Sequence, residues 1–336
     1  IPVTSQSFKY LGIHITADNE EFFRLNLFPP LERLKKDVAH WRSLPLSLLG
    51  CAALYKMMSL PRLLYALQNT PYLVPDSYFA SINSEVRKLI WDGTPSRIAL
   101  HKLCRGWYEG GIALPDIRKY YWAAHLTTIN QWAFLPQDEP SLRLDRLLLK
   151  PMGYLGRIYG KQPAIAPVNP TQVVVKIWHE TLRALKWEGR LTEATPLWDT
   201  AALGNLRSMT RARRWDMIGI STLGDVWRNG GVVPWGDLKI EYQLAPSEVF
   251  LYMQVRHALK SRLPTDTILP ETSPLEARLF TEYMQKKAIS LTYRKILNNT
   301  PEAMSATHEK WTQDIGEITD EDWEAAIASP REVGIR

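Results

Sequence analysis

The side chains that most often carry catalysis are too scattered in this sequence to predict an active site. His179-Glu180 is not followed by a second histidine one helical turn later, as the zinc-protease motif requires. The seven histidines lie far apart, and the two cysteines, Cys51 and Cys104, are too few for a cysteine-rich zinc site. Glycine-rich phosphate loops and the Gly-x-Ser-x-Gly elbow of hydrolases are also missing from the sequence.

Carboxylates can hold the two metal ions of a phosphoryl-transfer enzyme, provided that they converge. The tightest acidic group runs from Asp320 to Asp322, where a helix is expected to begin and negative charge complements the helix dipole. We therefore predict no catalytic residue, no metal site, no cofactor and no small-molecule substrate.

Basic side chains form a clearer pattern, and the first group lies in a helix predicted at 31–43. Arg33, Lys36 and His40 recur there at helical spacing on one face. The opposite face carries an apolar stripe of Leu31, Leu34, Val38 and Trp41. Two interpretations are open: an ordinary solvated face, or a helix laid along a nucleic-acid duplex with its cations on the phosphates.

The densest basic cluster comes later in the chain and adjoins a tryptophan: Arg207, Arg211, Arg213, Arg214 and Trp215. Arginine pairs with phosphates and tryptophan stacks on bases, so the cluster suits nucleic-acid binding. The alternative is a surface cluster paired with acidic residues of the same protein. The whole chain favours an anionic partner only mildly, with 41 basic and 35 acidic residues and a net charge of +6.

The length and composition of the chain indicate its number of domains and its cellular compartment. A chain of 336 residues is long enough for two or three domains. No apolar run approaches the roughly 20 residues that span a bilayer, and two cysteines suit a reducing compartment. We expect an intracellular protein of the nucleus or cytoplasm, with no membrane partner. The first residue is not Met and no signal peptide follows, so we expect a piece of a longer protein.

Hydrophobic periodicity predicts a mainly α fold that begins with a short β hairpin. Aromatic and β-branched residues around Gly12 favour strands at 8–16, and Ser77 is expected to cap a helix. The other helices are predicted at 31–43, 47–60, 63–68, 116–132, 173–186, 248–259 and 274–297, with a short one around Arg211. An irregular connector is expected at 135–170.

Five segments in a fixed order carry a family likeness: 8–13 (Phe-Lys-Tyr-Leu-Gly-Ile), 41–65, 79–91, 110–124 and 250–257. Together they resemble the protein of the second open reading frame of LINE-type non-LTR retrotransposons, particularly the vertebrate forms. The first segment resembles the primer grip, the hairpin that follows the polymerase palm. The second, which begins Trp-Arg-Ser-Leu-Pro-Leu, is similar to the thumb of the same enzymes.

The resemblance implies an architecture and a set of contact residues. It implies a primer-grip hairpin at 1–20, thumb helices at 21–92, the first part of a wrist-like region with its connector at 93–170, and a larger helical C-terminal region at 171–336. It implies that the primer end is supported by Phe8, Tyr10, Leu11 and Gly12. The implied thumb contacts to nucleic acid are Lys35, Lys36, His40 and Lys56.

The resemblance also shows what the sequence lacks. Reverse transcriptases of this family hold their metal ions with an Asp pair in a Tyr/Phe-Ala-Asp-Asp turn upstream of the primer grip, and no such tetrapeptide occurs here. We therefore expect a piece without catalysis of its own, which binds an RNA–DNA template-primer or RNA and packs against an upstream palm. A helical protein-interaction module, such as a host gene captured from a retroelement, is the alternative.

Overall fold

The computed structural model shows a mainly α-helical protein whose chain begins with an antiparallel β hairpin, which confirms the predicted fold class. It describes residues 7–16, 18–70, 72–106, 111–135, 139–149, 170–185, 191–193, 195, 197–198, 203, 206, 209, 212–270, 286–298, 316 and 319, with the backbone alone at 19, 213 and 298. The chain divides into two compact units, the first made of Ile1–Ala124 together with Thr300–Arg336 and the second of His125–Asn299. The four ranges implied by the resemblance stay a prediction.

The hairpin pairs β1 (Ser7–Tyr10) with β2 (Ile13–Thr16), as the aromatic and β-branched residues predict. Tyr10 lies opposite Ile13, so the turn consists of Leu11 and Gly12 alone. Both turn residues have positive φ, 44° and 87°, which matches the twist of the strands in a two-residue turn. Glycine adopts this backbone freely, whereas a leucine there is held by its surroundings.

Two helices follow the hairpin, and the first of them was not predicted. α1 (Asn19–Asn26) begins where the Asp18 carboxylate accepts a hydrogen bond from the Glu21 backbone. α2 (Phe28–Trp41) starts with two prolines in its first turn, where a missing N–H costs nothing. Its apolar stripe is buried as predicted, at Leu31, Leu34, Val38 and Trp41. Each such side chain contributes about 1.5–3 kcal/mol, enough to fix which face of α2 is turned outward.

The helix expected at 47–60 and the segment at 63–68, a possible continuation of it beyond a kink at Pro61, form one helical rod. It consists of α3 (Leu48–Leu54), a π turn (Tyr55–Ser59) and α4 (Leu60–Gln68). Ser47 caps its start, since its hydroxyl accepts from the Gly50 backbone. Pro61 lies in the first turn of α4 and is tolerated because the Leu60 N–H donates five residues back, to the Tyr55 carbonyl.

The remaining helices of the first unit are α5 (Asp76–Trp91), α6 (Leu100–Leu103) and the start of α7 (Ile117–Phe134). α2 and α3 both pack against α5. The predicted Ser77 cap is wrong, because α5 begins one residue earlier, directly after Pro75. The predicted helix at 116–132 is confirmed, and Asp116 accepts from the backbone of its first turn.

The second unit has short helices around a tryptophan-rich core. Its helices are α8 (Arg143–Leu149), α9 (Pro170–Ala184), α10 (Ala212–Met217), α11 (Leu223–Val226), α12 (Trp235–Glu241), α13 (Val249–Lys260) and α14 (Ala288–Asn298). A small hairpin pairs β3 (Trp227–Arg228) with β4 (Gly231–Val232). The helices predicted at 173–186 and 248–259 are confirmed within two or three residues.

Three predictions about the second unit are incomplete. The expected connector at 135–170 contains a 3-10 turn (Pro140–Leu142) and α8, while 150–169 lies outside the described residues. The helix expected at 274–297 is described only as α14, because 271–285 is also outside them. The hairpin of β3 and β4 was not predicted, since two-residue strands leave no alternating pattern.

Candidate nucleic-acid interface

The turn of the first hairpin rests on the helical rod. The Tyr65 hydroxyl of α4 donates a hydrogen bond to the Leu11 carbonyl. A Cβ atom on Gly12 would come within 3.5 Å of the Tyr65 ring, and the positive φ of Gly12 would strain any such residue. The turn that contains two of the predicted primer-grip residues is therefore fixed in place by α4.

A buried amide holds the other edge of the hairpin. The Asn26 side chain accepts from the His14 N–H at 2.7 Å and donates to the His14 carbonyl at 2.8 Å. It also donates to the Phe22 carbonyl of its own helix at 3.0 Å. Asn26 thus pairs with β2 in the way that a neighbouring strand would, and it satisfies backbone groups that burial would otherwise leave unpaired.

The outer face of the hairpin is apolar and open to solvent. Strand alternation places Phe8 and Tyr10 on one face, with Ile15 and Ile13 as their cross-strand partners. Phe8 is 55% exposed and Tyr10 is 61% exposed. Leu11 at the turn is also exposed. A contiguous apolar patch of this kind marks an interaction surface more often than a chance arrangement.

The predicted cationic face of α2 is exposed, but one of its members is already paired. Arg33 Nε lies 3.0 Å from Asp37 Oδ1, and the other oxygen of Asp37 accepts from Arg62 at 3.0 Å. Lys36 and His40 are exposed and have no acidic partner among the residues that the structure describes. These two side chains are the ones most able to reach a phosphate without breaking an ion pair.

Two further thumb candidates differ from this pair. Lys35 points to another side of α2 and holds Glu32 at 2.7 Å, and this hydrogen bond raises the pKa of Lys35. Lys56 is half-buried in the π turn, and burial lowers the pKa of its ammonium group. The structure thus separates the four implied thumb contacts into an exposed pair, one paired lysine and one partly buried lysine.

Of the second predicted cluster, the structure describes the side chains of Arg214 and Trp215 alone. Trp215 is fully buried, and its indole N–H donates to Glu248 at 3.2 Å. Its ring also packs edge-on against Trp198, with centroids 6.3 Å apart. The prediction that Trp215 stacks on a base is therefore wrong, because both faces of the ring lie in the core.

The arginines of this cluster are only partly described. Arg214 lies 3.1 Å from the same buried carboxylate of Glu248. The alternative interpretation, a cluster paired with the protein's own acids, thus holds for Arg214. Arg207 and Arg211 lie outside the described residues, and of Arg213 only the backbone in α10 is described.

Two residues that position the hairpin were missed by the sequence analysis. Asn26 was interpreted as a break before a helix, although a buried amide next to a strand can also bind that strand. Tyr65 lies 54 residues from Leu11. No periodicity along one element reports a contact over that separation.

The described part of the chain holds no group of three or more histidine, cysteine, aspartate or glutamate side chains placed to bind a metal ion. Among the same residues, none of the helices combines the length and the apolar character that crossing a membrane requires. No family model matches the chain.

Proposed function

We propose that the chain is the part of a LINE-type reverse transcriptase that follows the palm, and that it holds a template-primer in the nucleus or cytoplasm without catalysing polymerisation itself. The observation that carries the proposal is the outward face of α2, where Lys36 and His40 are exposed opposite a fully buried apolar stripe. The resemblance supplies the assignment of this helix to the thumb.

The cations of α2 suit contact with a nucleic-acid backbone. An RNA–DNA hybrid has a wide, shallow minor groove, which proteins recognise mostly by its shape and its phosphates. Phosphate contacts of this kind hold and orient a duplex without reading its sequence. With Arg33 held by Asp37, we expect few contacts from this face and only moderate affinity.

The hairpin suits support of the primer end. A displacement of about 1 Å at a reacting terminus can cost roughly 100-fold in rate, so a supporting turn has to be rigid. Tyr65 fixes the turn through the Leu11 carbonyl, and Asn26 fixes β2 through the backbone of His14. In the full protein, the exposed face of Phe8 and Tyr10 would pack against the palm, which supplies the metal-binding Asp pair.

The test measures binding of the chain to an RNA–DNA hybrid by fluorescence anisotropy over a series of salt concentrations. We expect the logarithm of affinity to fall with the logarithm of salt with a slope of about 0.7–0.9 per phosphate contact. The double variant Lys36→Gln, His40→Gln should bind more weakly and with a shallower slope. Lys239→Gln is the control, because it removes an exposed lysine from a helix of the second unit that is not among the implied contacts.

Three results would overturn the proposal. They are no binding to the hybrid at low salt, an equal loss of affinity in Lys239→Gln and in the double variant, and a preference for particular sequences. The last result contradicts backbone recognition, which is uniform across sequences.

The alternative function is a protein-interaction module, and one observation favours it. Phe8, Tyr10 and Leu11 are exposed apolar side chains of the hairpin, and Met57 is 73% exposed on the rod that carries Tyr65. Binding through such a surface depends on apolar burial and is insensitive to salt. A partner whose affinity persists at high salt and falls in Phe8→Ser would favour this second function.

A further inference from the structure

The second unit contains a cleft that no motif of the sequence predicted. Its volume is about 560 Å³, within the range of roughly 300–1,000 Å³ that is usual for ligand sites. The hairpin of β3 and β4, the start of α12 and one face of α13 form its walls. The lining side chains with flat or charged groups are Trp227, Trp235, Tyr252, Arg256 and Lys260.

The spacing of residues along α13 explains why two cations reach the cleft. Tyr252, Arg256 and Lys260 follow one another at intervals of four residues and therefore share one side of the helix. Tyr252 is buried, and its hydroxyl donates to the Val233 carbonyl at 3.0 Å, which fixes this side of α13 against the hairpin. Arg256 and Lys260 lie about one and two turns beyond Tyr252, toward the C-terminal end of α13.

The aromatic wall is rigid. Trp227 is buried and donates its indole N–H to the Thr267 carbonyl at 2.9 Å. Trp235 is the first residue of α12 and remains partly exposed, with its ring centroid 5.4 Å from that of Tyr252. Trp235 therefore presents a flat, partly exposed ring to the cleft, in contact with the ring of Tyr252.

The cations of the cleft are not neutralised by neighbours. Neither Arg256 nor Lys260 has an ion pair among the residues that the structure describes, and no carboxylate is among the residues that line the cleft. The nearby Arg228 behaves differently, since both of its terminal nitrogens are bound by Glu241 at 2.8 and 2.9 Å. Two unpaired cations beside a flat aromatic ring leave room for an anion that carries a flat apolar group.

We propose that this cleft binds an unpaired nucleotide of a single-stranded nucleic acid, with the base against Trp235 and the phosphate between Arg256 and Lys260. A base in a duplex is paired and stacked on its neighbours, so only an unpaired one can enter. Aromatic stacking of this kind tolerates every base, since each has a flat face. The inference goes beyond the proposed function, because its evidence lies in the other unit and does not use the contacts of α2.

The test uses the full chain and two single-stranded probes of equal length, an oligouridine RNA and an oligothymidine DNA, with fluorescence anisotropy as the measurement. Arg256→Gln combined with Lys260→Gln should weaken binding about tenfold or more, and Trp235→Leu about fivefold or more. Lys239→Gln is the matched control, because it removes an exposed cation of α12 outside the cleft. If the cleft substitutions weaken binding of one probe more than the other, that difference identifies whether the cleft binds RNA or DNA.

Photocrosslinking of the unaltered protein keeps the proposal falsifiable if Trp235→Leu fails to fold. A 5-bromouridine oligonucleotide should crosslink to the peptide that contains Trp235, as identified by mass spectrometry. Crosslinks confined to residues outside 227–265 would overturn the proposal. Equal losses of single-strand affinity in Lys239→Gln and in the double variant would also overturn it. Such a result would mean that Arg256 and Lys260 act only through their general positive charge.

The two proposals fail in different ways. Loss of hybrid binding in the α2 variants with unchanged single-strand binding would leave the cleft intact as a separate site. Conversely, cleft variants that bind the single strand normally would refute only the inference made here.

Discussion

α2 in the first unit and α10 in the second both carry residues that were predicted to touch nucleic acid. In α2 such side chains are exposed, whereas in α10 the tryptophan is buried. α2 turns Lys36 and His40 outward and unpaired. α10 turns Trp215 into the core and pairs Arg214 with a buried carboxylate. A group of cations spaced along a helix that also has a buried stripe is a better indicator of an open surface than a dense run of cations.

The difference has a simple physical cause. Over the fourteen residues of α2, the apolar stripe is long enough to decide which side of the helix is buried. α10 has six residues, fewer than two turns, so its orientation is set by the core that it joins. Burying a large aromatic ring in that core stabilises the fold more than keeping an adjacent arginine in solvent does.

The largest effect that tests this contrast is expected from Trp215→Ala. Removing a fully buried indole should lower the free energy of unfolding by about 3–5 kcal/mol, measured by urea denaturation with circular dichroism. Met217→Ala in the same helix is the control, since its side chain is 86% exposed and its loss should cost under about 0.5 kcal/mol. If Trp215→Ala left the stability unchanged and weakened nucleic-acid binding, Trp215 would stack on a base as the sequence suggested.

A smaller effect is expected from Glu248, which accepts from the Trp215 indole and pairs with Arg214. Glu248→Met leaves a buried N–H without this acceptor and should lower the free energy of unfolding by about 1–3 kcal/mol. Glu248→Gln keeps an oxygen that can accept the indole proton and should cost less. If the two variants are equally stable, the hydrogen bond to Trp215 is not what holds α10.

A change in binding rather than in folding is expected from Asp37→Asn. This substitution releases Arg33 and Arg62, which share the Asp37 carboxylate, and removes one negative charge near the α2 face. The two arginines are exposed, but Asp37 is only 11% exposed, so the loss of both ion pairs should cost about 1 kcal/mol of stability each. Affinity for the RNA–DNA hybrid should rise, and the salt slope should steepen by about 0.7–0.9 for each new phosphate contact. Weaker or unchanged binding in Asp37→Asn would mean that the α2 face does not meet the hybrid.

The parts of the fold and of the candidate site that could be predicted from the sequence are those with a long residue pattern within one helix or strand pair. The hairpin at 8–16 and the stripe of α2 were predicted because alternation and helical spacing act along one element. α1 was missed because Asn26 and the two prolines after Phe28 were taken for a break, although prolines suit the first turn of a new helix. The cleft around Trp235 could not be predicted, since its walls come from three elements.

The smallest effect concerns the titration of tyrosines in the two units. Burial and the charge of Asp225 raise the pKa of Tyr242 to about 12 in the second unit, where its hydroxyl donates to Asp225 at 3.1 Å. Burial also raises the pKa of Tyr55 and Tyr78 in the first unit. The unfolded chain titrates near pH 10, so the contribution of Tyr242 to stability is complete below about pH 10 and is lost as the pH rises through 12.

The measurement for Tyr242 is the difference in free energy of unfolding between the unaltered protein and Tyr242→Phe, taken at intervals from about pH 9 to pH 12. The difference should shrink across that window, because only the unaltered protein loses a proton at this position. A constant difference would show that the hydroxyl titrates alike in the folded and unfolded chains.

The π turn at Tyr55–Ser59 has a consequence for how the length of the chain can vary. A π turn is an α-helix that has absorbed one extra residue while the helices on either side keep their direction. Deleting one residue there should restore plain α-helix and leave Tyr65 against Leu11. A deletion elsewhere in the rod would instead rotate α4 by about 100° and carry Tyr65 away from the turn. The π turn is thus a position in the rod where a single-residue deletion can occur without detaching the hairpin.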